Sequence, residues 1–127
     1  MSAKILVIDD EPAVATAITR MLAGYDTKAE TDPRRAVERI SHGERFDLIL
    51  CDLNMPGMSG REVYEAVKRE SHGRPPMMLI MSGDGNVAPL YAVGCAVLFK
   101  PFEAAELENL VSMILHEEPH GASASAP

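Results

Sequence analysis

Residues 4–11 read Lys-Ile-Leu-Val-Ile-Asp-Asp-Glu, and residues 48–54 read Leu-Ile-Leu-Cys-Asp-Leu-Asn. In both, four consecutive apolar side chains run directly into an aspartate. Unbroken apolar runs of this length, in place of alternation, mark strands covered on both faces, as in a parallel sheet. Two more runs share the character: Met77-Met78-Leu79-Ile80-Met81 before Ser82, and Ala96-Val97-Leu98-Phe99 before Lys100-Pro101. A weaker run around Thr27 to Glu30 fits an edge strand.

The segments between these runs carry helical periodicity. Val14, Ile18, Met21 and Leu22 share one face, and Pro12 sits in the first turn, where its missing N–H costs nothing. Asp32-Pro33 is a cap followed by a first-turn proline, ahead of Ala36, Val37 and Ile40. Ser59 and Glu62 form a capping box that opens a helix burying Val63, Ala66 and Val67. Leu107, Leu110, Val111 and Ile114 give the last helix an inward stripe. Between Ser82 and Gly94 the glycines and Pro89 allow at most two helical turns, so the fourth helix is expected to be short. Strands alternating with helices give a three-layer α/β sandwich of five βα units; the fold expected is flavodoxin-like, with parallel strand order 2-1-3-4-5.

Composition agrees with one globular domain. The chain has 127 residues, 46% hydrophobic and 24% charged, and its 19 acids against 12 bases leave a net charge of −7. An acidic balance argues against direct nucleic-acid binding, which needs clustered Lys and Arg. No apolar run approaches a membrane span and no signal-peptide pattern is present, so a cytoplasmic location is expected. Cys51 and Cys95 lie inside apolar runs and read as buried free thiols of a reducing compartment. The domain is expected over residues 1–117. Residues 118–127 lose all periodicity and read as a disordered tail or the start of a linker.

Ligands of such sheets bind beyond the carboxyl ends of the strands, where strand order reverses. At those ends stand Asp9-Asp10, Asp52, Ser82 and Lys100. Carboxylates about 4 Å apart repel by roughly 4 kcal/mol at an effective dielectric near 20. A cation relieves that repulsion, and a small set of oxygen ligands with room for water suits Mg²⁺. The competing reading, in which Asp9 and Asp10 simply cap the first helix, loses ground once Asp52, Ser82 and Lys100 each end another strand.

The same pieces, in the same order, resemble the receiver domain of two-component response regulators. They are Asp9-Asp10, the run Cys51-Asp52-Leu53-Asn54-Met55-Pro56-Gly57-Met58-Ser59-Gly60, Ser82 after an apolar strand, and Lys100-Pro101-Phe102. The resemblance covers residues 4 to about 116. It implies that Asp52 accepts a phosphoryl group from a phosphohistidine on a histidine kinase or phosphotransfer protein. It implies Mg²⁺ held by Asp10, Asp52 and the backbone carbonyl of Asn54, with Asp9 acting largely through water. Lys100 would pair with a phosphoryl oxygen, and Ser82 would donate its hydroxyl to another. The bond before Pro101 is expected to be cis. Kinase docking would use Ala13, Val14, Ala17 and Arg20 with Pro101 and Phe102, and a downstream protein partner would read the switch.

Two departures from the family pattern stand out. The family's aromatic switch position, three residues before the lysine, is Val97 here, which leaves Ser82 as the remaining half of the switch. A short fourth helix should also weaken dimerisation through the fourth helix, fifth strand and fifth helix, favouring partner docking or phosphate relay.

Other signals carry less. His116-Glu117-Glu118-Pro119-His120 spells a zinc-protease motif, but Pro119 would break the turn that must bring both histidines to one face. Asp52-Leu53-Asn54 opens like a calcium loop, yet Pro56 and Val63 occupy positions that need oxygen ligands. His42 and His72 lie beside glycines in loops and read as solvated, and the methionines around residues 55–58 and 77–81 read as adaptable core. Three functional readings therefore stand. The first is a phosphorylatable receiver, which is no turnover enzyme and only catalyses its own phosphorylation and dephosphorylation. The second is a Mg²⁺-dependent phosphatase with Asp52 as nucleophile, which would want an acid where Asn54 stands. The third is a receiver-like interaction module that never carries phosphate.

Overall fold

The computed structural model describes residues 2–83 and 95–116. Strands β1 (Lys4–Ile8), β2 (Asp26–Glu30), β3 (Leu48–Asp52), β4 (Met77–Ser82) and β5 (Ala96–Phe99) form one sheet, with helices α1 (Pro12–Met21), α2 (Pro33–Ser41), α3 (Gly60–Glu70) and α4 (Ala104–His116). The strand order is β2-β1-β3-β4-β5 with every pairing parallel, the order expected from the sequence. The short helix expected between Ser82 and Gly94 and the tail from residue 118 lie outside the described residues, as does most of the His116–His120 motif.

The unbroken apolar runs are explained by the two layers they serve. Successive side chains of a strand point to opposite faces. Leu6, Ile8, Ile49, Cys51, Met78 and Ile80 join one core cluster with Ala36 and Ile40 of α2 and Val63 and Val67 of α3. Ile5, Val7, Leu48, Leu50, Leu79 and Met81 join the other with Ala15 and Ile18 of α1 and Leu107 and Val111 of α4. A strand sandwiched this way has no wet face, so both phases of its side-chain alternation must be apolar. By contrast β2 is an edge strand in which only Glu30 is buried.

Local chemistry starts the helices where the sequence indicated. The Asp32 carboxylate accepts the Arg34 backbone N–H at 3.0 Å, with Pro33 in the first turn of α2. Ser59 and Glu62 form the reciprocal capping box of α3, at 3.2 Å and 2.8 Å. α1 behaves differently. Its N-cap is Glu11, which makes no side-chain capping bond, so the preceding Asp9 and Asp10 are not cap residues.

Gly60 opens α3 against the end of β3. Its N–H donates to Leu53 O at 2.8 Å, and a Cβ built there would stand 2.6 Å from Asp52 O and 2.9 Å from Leu53 Cα. Both obstacles are backbone, which cannot rotate aside. Gly60→Ala is therefore expected to lower the stability measured by chemical denaturation by about 1–3 kcal/mol, the usual cost of overpacking, and to move the Asp52 and Leu53 amide resonances.

Cys51 and Cys95 are both free and buried. Burial pushes the Cys51 thiol well above its ordinary range and the Cys95 thiol up to about 11, so neither is an available thiolate near neutral pH. Native protein at pH 8 should resist aromatic disulfide reagents at both positions and release two equivalents of reaction on denaturation. As pH climbs above the ordinary thiol value of 9.0 the unfolded thiols ionise before the folded Cys95, so stability should fall between pH 9 and about 11.

Candidate functional site

The strand ladder continues past the strand ends and fixes the site's backbone. Asp9 N–H donates to Glu30 O at 3.3 Å, Leu53 N–H to Met81 O at 2.9 Å, and Lys100 N–H to Ser82 O at 2.8 Å. Asp9, Asp52 and Lys100 also fall in the side-chain phase of Val7, Leu50 and Leu98, three members of the cluster under α1 and α4. Register and phase together bring residues 9, 52 and 100 to one place. Pro101 follows Lys100 through a cis peptide bond, as the resemblance implied.

The side chains meet there. Lys100 Nζ donates to Asp52 Oδ1 at 2.9 Å and lies 4.0 Å from Asp9 Oδ2. Asp9, Asp10 and Asp52 each present one carboxylate oxygen within 4.8 Å of the others. Asp9, Asp52 and Ser82 are buried, and Lys100 keeps 31% of its side-chain exposure. Asn54 lies in the exposed turn two residues beyond Asp52, and Gly57 in the same turn has φ +82°. Val97 is half-buried in β5 beside Ile80 and packs into the cluster under α2 and α3.

Electrostatics make this a loaded pocket. Burial pushes the Asp9 carboxyl above its ordinary value; the Glu11 N–H bonded to Oδ1 at 3.0 Å opposes that, Asp52 adds to it, and the upward direction wins. Its other oxygen, Oδ2, is buried with no hydrogen-bond partner among the described residues. Burial alone would lower the Lys100 ammonium, but its hydrogen bond to Asp52 and the charges of Asp52, Asp9 and Glu11 raise it above its usual range. One lysine stands beside a cluster of three carboxylates, one of which keeps a buried oxygen with no hydrogen-bond partner among the described residues. That donor set fits a hard divalent cation that keeps some of its water, as Mg²⁺ does.

Asp9 is 1% exposed and presents a carboxylate oxygen to the cluster. Gly60 enters the sequence reading only as the last residue of the run that begins at Cys51; its role in clearing space against the Asp52 carbonyl is signalled by a glycine at the first position of a helix. Glu30 was also missed. Its carbonyl anchors Asp9, and its buried carboxylate pairs with Arg39 at 3.5 Å and accepts Asp32 N–H at 3.2 Å. Of the expected docking residues, Ala13, Ala17 and Arg20 are exposed on α1, while Val14 and Phe102 are half-buried against one core cluster.

The electrostatics predict an exchange of stability for cation affinity. Asp9 in the folded state holds its proton more tightly than the unfolded chain, so its ionisation costs stability as pH rises from its ordinary 3.8 through its folded value. Asp9→Asn should stabilise the cation-free protein by about 1 kcal/mol, because a buried like-charge contact is removed. The same variant should lose most of the Mg²⁺-induced rise in melting temperature that wild type shows. Thermal melts with EDTA and with added Mg²⁺ read both effects.

The family described as the response regulator receiver domain matches residues 5–112. Among curated relatives, the response regulator protein FleR of Pseudomonas aeruginosa is 31% identical over 116 residues, covering 88% of this chain and 24% of that protein. The DNA-binding response regulator MtrA of Mycolicibacterium smegmatis is 35% identical over 111 residues, covering 84% of this chain and 48% of that protein. The chain thus spans a quarter to a half of the length of these relatives. Among solved structures, the chemotaxis protein CheY4 of Vibrio cholerae superposes with a TM-score of 0.80 at 30% identity, covering 91% of this chain and all of that one. The receiver domain of the sensor histidine kinase PA1611 of Pseudomonas aeruginosa, solved with a magnesium ion in its active-site cleft, gives a TM-score of 0.78 at 25% identity, covering 91% and 98%. With that match, the strand order and the acid pocket in agreement, the chain belongs to the response regulator receiver domain family.

Proposed function

We propose that this chain is a phosphorylatable switch that takes a phosphoryl group onto Asp52 from a phosphohistidine of a histidine kinase or phosphotransfer protein. The observation that supports it most is the Lys100 ammonium held 2.9 Å from Asp52 beside two further carboxylates. Lys100 engages Oδ1, and attack on phosphorus falls to the other oxygen of Asp52. The new O–P bond forms as the N–P bond to the donor imidazole breaks, leaving an aspartyl phosphate and a neutral donor ring once it is protonated from solvent. This transfer needs positioning and charge neutralisation more than proton chemistry.

Asp9, Asp10, Asp52 and the Asn54 carbonyl would hold Mg²⁺, which when bound offsets the charge spreading over the transferring oxygens. Lys100 then moves from the Asp52 carboxylate to a phosphoryl oxygen as a compact point charge. Ser82, buried at the end of β4, supplies a hydroxyl to another oxygen, and its displacement is the conformational signal. Val97 offers no ring to follow it. Residues 13, 14, 17 and 20 of α1 with Phe102 form the face for the phosphodonor, a small apolar patch with a charged rim. The setting is the cytoplasm, where histidine kinases present their phosphohistidine. Among the described residues no helix is long and apolar enough to cross a membrane.

Acetyl phosphate with Mg²⁺ should add one acid-labile phosphate by intact mass, and Asp52→Asn should abolish the gain. Lys100→Met should slow phosphorylation by about 10²-fold, as loss of one preorganised charge does. Rapid turnover of a phosphoester would overturn the proposal in favour of a phosphatase, and no modification by any phosphodonor would favour an inert module.

A further inference from the structure

The end of the sheet opposite the acid pocket carries a groove of about 630 Å³. Its floor is the start of three strands tied edge to edge. Asp47 N–H donates to Lys4 O at 2.8 Å, and Met77 N–H to Asp47 O at 3.2 Å. One wall is the turn from α2 into β3, bearing Arg45 and Phe46; another is the turn from α3 into β4, bearing Arg74 and the stiff pair Pro75-Pro76. Ile114 and Leu115 at the end of α4 close the third side. These walls are held in place. His72 Nε2 donates to Ser41 O at 2.7 Å, joining the ends of α2 and α3, and Gly43 and Gly73 turn the chain at φ +99° and +79°.

The charge of the groove runs against that of the chain. Among the described residues, Lys4, Arg45 and Arg74 line it against two carboxylates, Glu44 and Asp47, in a protein of net charge −7. Both carboxylates are already engaged. Glu44 pairs with Lys28 at 3.5 Å and Arg39 at 3.4 Å, and Asp47 accepts the Lys4 backbone N–H at 2.8 Å. Lys4 Nζ lies 5.4 Å above the Phe46 ring, and Arg45 forms no ion pair among the described residues. Beside these cations the surface is apolar. Met77 is 51% exposed, and Ile114 and Leu115 are half-buried with one side towards the groove.

We propose that this groove is a binding site for an amphipathic carboxylate, its anionic head against Arg45 and Lys4 and its unbranched apolar tail along Met77, Ile114 and Leu115. The volume lies in the roughly 300–1,000 Å³ range of small-ligand sites, and the lining divides about evenly between polar and apolar surface, which suits a ligand with one end of each kind. Neither half suffices alone. An inorganic anion would leave Met77, Ile114 and Leu115 wet, and a neutral hydrocarbon would leave Arg45 without an answering charge. The site is remote from Asp52, so it stands whether or not the phosphorylation reading holds.

Backbone amide NMR of the full chain with decanoate tests it, with acetate and decyltrimethylammonium as probes that lack the tail or reverse the charge. Decanoate should give saturable shifts centred on Lys4, Arg45, Asp47, Met77 and Leu115 at concentrations up to about 1 mM, and the other two probes should not. Arg45→Glu, a change at an exposed turn, should weaken decanoate binding about tenfold or more while leaving the melting temperature near wild type, and Met77→Asp should do likewise. No saturable shift, shifts centred elsewhere, equal binding of the cationic probe, or wild-type affinity in both variants would each overturn the proposal.

Discussion

Asp9, Asp10 and Asp52 bring three carboxylate oxygens within 4.8 Å of one another, against a single ammonium 2.9 Å from Asp52. In water such a cluster would scatter; here the ends of β1 and β3 hold it together, and burial of Asp9 removes the solvent that would dilute the repulsion. The rest of the structure sustains that arrangement. Two apolar layers clamp the strands from both faces, and backbone bonds beyond the strand ends keep residues 9, 53 and 100 in register. The stability lost at the pocket is made up by the core beneath it, and what results is a site that favours added positive charge and a shared anion.

The two ends of the sheet are electrically opposite. Carboxylates gather at the carboxyl ends of the strands, while Lys4, Arg45 and Arg74 surround the groove at the amino ends. Lys100 crosses this pattern, entering the acidic end as the one cation there among the described residues that reaches Asp52. Its raised affinity for a proton is the complement of the raised Asp9 value. Burial acts against the charge of each, but only Lys100 has enough opposite charge around it to reverse the outcome.

Much of this was legible before any coordinates, and the reasons are specific. Runs such as Ile5–Ile8 and Leu48–Cys51 could only be two-faced strands, because an edge or half-wet strand would show polar residues at alternate places. Asp32-Pro33 and Ser59 with Glu62 announced their helices through bonds made within four residues. The placement of the acidic pair, Asp52, Ser82 and Lys100 at one end of a parallel sheet was legible because each directly follows or ends an apolar run. Gly60 and Glu30 were harder, since their importance lies in what stands across from them: the Asp52 carbonyl in one case, Arg39 and the Asp9 amide in the other.

Sequence alone determined the strand and helix pattern and the identity of the charged residues at the strand ends, because these depend on periodicity, capping and polarity over short stretches. Tertiary structure decided how those charges share one space: that Asp9 is buried and half-unpartnered, that Lys100 engages Asp52 more closely than Asp9, and that basic and apolar residues from four separate segments enclose a groove at the far end. Such facts depend on distances between residues far apart in the chain, and Coulomb energy and desolvation vary with those distances and not with position in the sequence.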